Sequence, residues 1–371
     1  MIGLAIAWRA RARGLGVTVF DGRDPGSGAS SVAAGMLAPV TEAEAGERAL
    51  LALGMESARR WPAFAAELRD VTGVDVGYRA CGTLVVARDG DEAEALDREV
   101  ALRERLGLRT ARLLPSEARR REPALAPSVR LALDVPDDHA VDPRLVAAAL
   151  VLAARQAGAV LHTGAGVRSV VCDGERVTGV ALEDGSVVQA GQVVVAAGAW
   201  SALLEGVPAS AQVPVRPVKG QTLRLLDPSG PGLLERVLRY EGGYIVPRGD
   251  GRYVLGATVE ERGFDTAMTA GAAYELLRDA SELVPGILEL EIEELVAGLR
   301  PGTPDNGPIL GAAQGVAGLL WATGHFRNGI LLTPVTADLI AAELAGEPAE
   351  HAFAADRFAS PAPGPAAVPA P

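Results

Sequence analysis

The chain begins MIGLAIAWRARARGLGVTVFD, and this stretch limits the possible fold more than any other. Apolar residues recur at helical spacing from about Gly3 and stop at Gly14. A β-branched run follows at residues 17–20 (VTVF), closed by Asp21. A helix feeding a strand that ends on an acid is the second half of a strand–turn–helix–strand unit. Such units hold dinucleotides for physical reasons. Glycines let the backbone approach a pyrophosphate, the helix N-terminus aims N–H groups at it, and the acid takes ribose hydroxyls. Asp21 lies 18 residues after Gly3, near the spacing a ribose-binding acid needs. Of the motif G-x-G-x-x-G only the last glycine, Gly3, is present. Taken alone, the fragment fits a cofactor turn and ordinary helix–strand packing equally well.

At 371 residues the chain can form two domains or one large α/β body. A net charge of −12 argues against a nucleic-acid partner and an anionic membrane surface. Cys81 and Cys172 stand far apart without metal-ligand spacing, which favours two small buried side chains and a reducing cytoplasm. No apolar run approaches the roughly 20 residues of a membrane helix, and the N-terminus lacks the pattern of a signal peptide. His139, His162 and His351 have no partner at metal spacing, so no metal is expected. Neither a Ser-His-Asp order nor a G-x-S-x-G elbow supports a hydrolase.

Further along, a small-residue loop at 25–37 precedes a helix whose buried face carries Leu50, Trp61, Phe64 and Leu68. Residues 82–88 read as a strand and 91–106 as a solvated amphipathic helix. Asp142 followed by Pro143 starts a helix that stops at Gly158, with a strand at 159–162. Asp173-Gly174 and Asp184-Gly185 are turns in a hairpin-like pair, and the strand at 193–195 runs into Ala196-Ala197-Gly198. Residues 213–300 alternate as a mostly antiparallel second sheet, broken by one helix near 270–283. From residue 319 come a strand, a glycine-rich turn and an apolar helix, and the Ala/Pro tail at 357–371 reads as disordered.

Four segments occur in order: FDGRDPGSGASSVAAGMLAP, VVVAAGAWS, GLRPGTPDNGPILG and ATGHFRNGILLTP. Together they resemble the FAD-dependent amine oxidases of the D-amino-acid oxidase superfamily, with the glycine oxidases of thiamin biosynthesis as the nearest pattern. The resemblance runs from residue 1 to about 356. It implies an α/β chain, α+β as a whole: a Rossmann-like FAD-binding domain (1–80, 140–212 and 300–356) and an antiparallel-sheet substrate domain (81–139 and 213–299). It implies non-covalent FAD, since no cysteine stands near Arg300, where relatives of sarcosine-oxidase type attach flavin.

Residue by residue, the resemblance puts Gly3 at the pyrophosphate turn, Asp21 on the adenosine ribose and Arg23 nearby. Ser30, Ser31, Ala34, Gly35 and Met36 would line the pyrophosphate and flavin edge, and Val167 would meet the adenine. Ala197 and Gly198 supply a second backbone contact. His325, Arg327, Asn328, Gly329, Ile330 and Leu331 form the loop at the flavin pyrimidine. Arg300 would bind the substrate carboxylate, because a planar, permanently charged guanidinium suits a bidentate anion. Tyr244 would assist it, and Arg327 is a second substrate candidate.

The implied reaction is hydride removal from the α-carbon of glycine or another small amine to FAD, with oxygen as acceptor. Oxo acid, ammonia and hydrogen peroxide are the products, and the imine or glyoxylate serves thiazole formation. D-amino-acid oxidase or dehydrogenase activity, and a cofactor-free non-catalytic chain, remain the alternatives. Homo-oligomerisation stays open. Relatives read approximately GGGVIGLA where this chain reads MIGLA. The expectation is therefore that Met1 is a mis-assigned start and that roughly ten residues, with a first strand and two glycines, precede it.

Overall fold

The computed structural model describes residues 1–348 and 350–358. The opening helix, Ile2–Ala12, buries Leu4, Ala5, Ile6, Ala7, Trp8 and Ala10, almost its whole circumference. It can do so because it lies between the helices Pro143–Gln156 and Thr333–Leu344, all in one apolar cluster with Trp61 and Phe64 of the long helix Arg48–Thr72. Asp142 caps Pro143–Gln156 as its position suggests, its carboxylate accepting the Arg144 N–H at 2.9 Å.

The parallel layer comes in two pieces. Thr18–Asp21 pairs in parallel with Val160–Thr163. Val193–Val195 pairs in parallel with Leu319–Thr323, which is antiparallel to Ile309–Ala312. The edges of Thr18–Asp21 and Val193–Val195 both line one large cavity. The expected hairpin is three-stranded: Val167–Asp173, Arg176–Leu182 and Val187–Gln189 form an antiparallel sheet through the two Asp-Gly turns.

An eight-stranded sheet forms the other side of that cavity. Its order is Glu291–Gly302, Arg216–Leu226, Arg252–Gly256, Gly243–Pro247, Val237–Tyr240, Thr83–Ala87, Leu131–Val135 and Ala111–Leu113. Every neighbouring pair is antiparallel except Val237–Tyr240 with Thr83–Ala87, which runs parallel. The helix Ala270–Leu283 covers the far face, where Leu223, Leu225, Ile245 and Leu255 join Leu276, Ala280 and Leu283 in a second core. Thr269 caps that helix through the Ala272 N–H.

Among the described residues, no helix is long and apolar enough to cross a membrane, and Cys81 and Cys172 are both free. Of the tail expected at 357–371, Arg357 and Phe358 close a short helix, Ala355–Phe358, because Arg357 ion-pairs with Asp305 at 2.8 Å. Residues 359–371 lie outside the described residues.

Candidate functional site

The cavity between the two layers has a volume of about 1850 Å³, beyond the 300–1,000 Å³ usual for a small-ligand site and roomy enough for a dinucleotide. At one end it meets the N-terminus of Ile2–Ala12, which no side chain caps, so its first-turn N–H groups are open to an anion. Gly3 sits where a Cβ would come within 3.2 Å of the Ala196 Cβ, so this helix end approaches the end of Val193–Val195 closely. Asp21 closes its strand at the cavity wall, its carboxylate accepting the Arg23 N–H at 3.0 Å. The Arg23 guanidinium lies 4.9 Å from the centre of the Trp200 ring. Gly35, at φ +82°, allows the loop to press on the Val141 carbonyl, a spot where any Cβ would clash.

The other end is built on the large sheet. Arg239 stands opposite Tyr244, Tyr244 opposite Gly256, and Gly256 opposite Thr222. On the next strand pair Gly220 faces Gly298, and Val218 faces Arg300. Cross-strand partners and residues two apart share a face, so all these side chains point into the cavity. The glycines make a floor over which the large side chains lie flat. A Cβ on Gly220 would fall within 2.5 Å of the Arg300 Cζ, and one on Gly256 within 2.8 Å of the Tyr244 hydroxyl.

Arg300 Nη1 donates to the carbonyls of Thr258 (3.0 Å) and Lys219 (3.3 Å), which fixes the guanidinium from behind. The Lys219 ammonium, itself buried, ties the 257–269 loop down by donating to Asp265 Oδ2 (2.7 Å) and the Ala267 carbonyl (2.6 Å). Tyr244 hydrogen-bonds to Arg300, and burial raises its pKa despite that cation, so it is a neutral phenol at pH 7.

Beyond Tyr244, Arg239 forms a close ion pair with Glu42 Oε1, and Arg327 Nη1 stands 3.5 Å from Glu42 Oε2. Burial pushes the Glu42 carboxyl up, but the two arginines outweigh it and hold the group below its ordinary pKa, hence ionised. The turn that carries Glu42 is clamped from both sides. Asp138 accepts the N–H groups of Val40 (3.0 Å) and Thr41 (2.7 Å), while Arg103 donates to their carbonyls at 3.1 and 2.8 Å. Burial lifts the Asp138 carboxyl to about 6.

The cavity lining brings together Gly3, Asp21, Arg23, Ser30, Ala34, Gly35, Met36, Val167, Ala197, Gly198, Tyr244, Arg300, His325, Arg327, Asn328, Gly329 and Ile330. Ser31 and Leu331 stand behind it. Ser31 folds its hydroxyl back onto the Gly28 and Ser27 carbonyls, and its own carbonyl accepts from Arg144 and Arg224. Leu331 is buried in the helical core, its carbonyl accepting from Ser57 and the Trp61 indole. His325 lines the wall, yet its Nε2 is 3.1 Å from the Thr336 hydroxyl, and burial depresses its pKa to about 3, so it is neutral. No cysteine borders the cavity among the described residues.

Sequence reasoning missed Glu42, Arg239 and the glycine floor. A signal existed for the floor, because glycine weakens a strand interior and so marks close approach. Gly220 and Gly298 each interrupt an otherwise regular strand.

A two-layer fold whose open helix end, terminal strand acid and glycine cradles share one cavity with an arginine-bearing sheet defines a flavin-dinucleotide oxidoreductase. The chain belongs to the FAD dependent oxidoreductase family, whose pattern matches residues 1–343, and FAD is its cofactor. It is 37% identical over 343 residues to a glycine oxidase of Geobacillus kaustophilus, covering 92% of this chain and 89% of that protein. The crystal structure of glycine oxidase from that organism superposes with a TM-score of 0.88, covering 96% of this chain and 95% of the other. A bifunctional protein ThiO/ThiG of Trichormus variabilis is 39% identical over 344 residues, and the chain spans about half (51%) of its length.

Proposed function

We propose that the chain catalyses the oxidative deamination of glycine: glycine, oxygen and water give glyoxylate, ammonia and hydrogen peroxide. The observation that carries this reading is Arg300, fixed on a glycine floor with Tyr244 beside it, inside the cavity whose other end suits a dinucleotide. FAD, when bound, supplies the two-electron acceptor. Arg300 takes the substrate carboxylate in two-point fashion, and the Tyr244 phenol donates to the same group. Anchored there, the α-carbon is presented toward the cofactor end of the cavity, which is the orientation the reaction demands. No acid or base side chain is required if the amine arrives neutral, and none stands beside Arg300 and Tyr244 except Glu42, which its two arginines hold ionised.

In this reading Gly3 and the open helix end hold the pyrophosphate and Asp21 the ribose, with Arg23, Ser30, Ala34, Gly35, Met36, Val167, Ala197 and Gly198 around them. The 325–330 segment borders the flavin. Sheet membership supports a division into an FAD-binding part (1–80, 140–212 and 300–356) and a substrate part (81–139 and 213–299). Likeness to the ThiO half of a bifunctional protein supports a role in thiazole formation for thiamin. The net charge of −12 and the two free cysteines support a cytoplasmic enzyme of small molecules.

The test is direct. The purified chain is expected to carry a flavin absorbance band near one FAD per chain and to release peroxide with glycine. Turnover only with an artificial electron acceptor, or only with larger D-amino acids, would replace glycine oxidation by the corresponding dehydrogenase or D-amino-acid oxidase activity.

A further inference from the structure

Arg300 is not the only cation at the substrate end. Contacts run in an unbroken series from Arg300 to the Tyr244 hydroxyl, across the strand pair to Arg239, through Glu42 and on to Arg327. All five side chains line the same cavity. Three guanidiniums therefore share one carboxylate. Glu42 spends its close contact on Arg239. Arg327 touches it only at 3.5 Å, beyond a normal hydrogen bond, and makes no hydrogen bond among the described residues. Its side chain is 41% exposed, and the Phe326 ring, 5.3 Å from the guanidinium, holds it in place. A substrate with a single carboxylate satisfies Arg300 and leaves Arg327 with its donors turned to an open cavity. In a partly dehydrated site that arrangement favours a second anion.

We infer that the site takes amines bearing two carboxylates, the α-carboxylate on Arg300 and the second, carried on the amine nitrogen, on Arg327. Iminodiacetate is the simplest such compound, and the assignment rests on the amine-oxidase reading above. Its oxidation balances without a new co-reactant: iminodiacetate, oxygen and water give glycine, glyoxylate and hydrogen peroxide. One α-C–H bond breaks, a C=N bond forms, the electron pair ends on oxygen, and water then cleaves the C=N bond. The glycine released is itself a substrate, so complete turnover yields two peroxides per iminodiacetate.

The test compares iminodiacetate with sarcosine, which has a methyl in place of the carboxymethyl group, on the FAD-loaded full chain. A kcat/KM at least about tenfold higher for iminodiacetate is expected, the scale of one charge-assisted contact. Arg327→Met is expected to erase that ratio. Thiodiacetate, which has sulfur in place of the nitrogen, gives a readout without turnover. By calorimetry it should bind about tenfold tighter than (methylthio)acetate in the wild type, and equally in R327M. Equal or better use of sarcosine by an enzyme that oxidises glycine overturns the inference. A gain with D-aspartate but not iminodiacetate overturns the nitrogen-linked placement. If glycine itself is not turned over, the function proposed above fails, while the thiodiacetate comparison still decides what Arg327 binds.

Discussion

The two ends of the cavity are made of different material. The cofactor end is backbone: an uncapped helix terminus, glycine turns at Gly35 and Gly198, and one acid, Asp21. The substrate end is side chain: Arg239, Tyr244 and Arg300 laid over glycines contributed by three strands, with Glu42 and Arg327 reaching in from loops. Backbone sites tolerate changes in neighbouring side chains but depend on chain path. Side-chain sites depend on register and on what lies beneath them. The two ends should therefore fail independently, and substitutions can probe that separation.

The largest effect is expected from Arg300→Met. Losing a two-point charged contact should lower kcat/KM for glycine on the order of a thousandfold with FAD content unchanged. Loss of flavin along with activity would show that the ends are not separable. Gly220→Ala comes next. Its methyl would occupy the space of the Arg300 guanidinium, so KM is expected to rise about 10- to 100-fold while the flavin spectrum stays the same. A variant with wild-type KM would show that the glycine floor does not position Arg300.

Asp21→Asn attacks the opposite end. It should weaken FAD binding about tenfold, read by flavin fluorescence on dilution, and leave kcat at saturating FAD close to wild type. The smallest effect concerns the clamp under Glu42. Asp138 has a folded pKa of about 6 against an ordinary 3.8, so between those values the folded state binds the extra proton. Stability from this group is thus lost as pH rises through that window, by at most about 3 kcal/mol. Thermal melts of Asp138→Asn should lack this part of the slope between pH 4 and 6. An unchanged slope would place the titration elsewhere.

Legibility in the sequence follows the same division. Gly3, Asp21, Gly35, Ala197 and Gly198 come from contiguous segments, and a backbone-made site leaves its record as local glycine and small-residue patterns. Arg300 and Tyr244 were accessible through motif likeness, and both stand in the cavity wall. Ser31 and Leu331 show where proximity in sequence misleads. Each neighbours true lining residues, yet helical geometry turns the Ser31 hydroxyl onto its own turn, and core packing takes Leu331. Glu42 and Arg239 were illegible, because 197 residues separate them and only strand pairing and the Asp138 clamp bring them together.

Helix and strand periodicity, capping residues and Asp-Gly turns settled the elements, since these depend on interactions between residues a few positions apart. The sequence also carried the cofactor class, because glycine spacing is a local requirement of close backbone approach. Which side chains face one another across eight strands is a matter of register. A shift of one residue would turn Arg300 and Tyr244 to the opposite face of the sheet. Only the folded chain decides that register. It also put three arginines around one carboxylate, where the balance of charge comes from segments that share no local pattern.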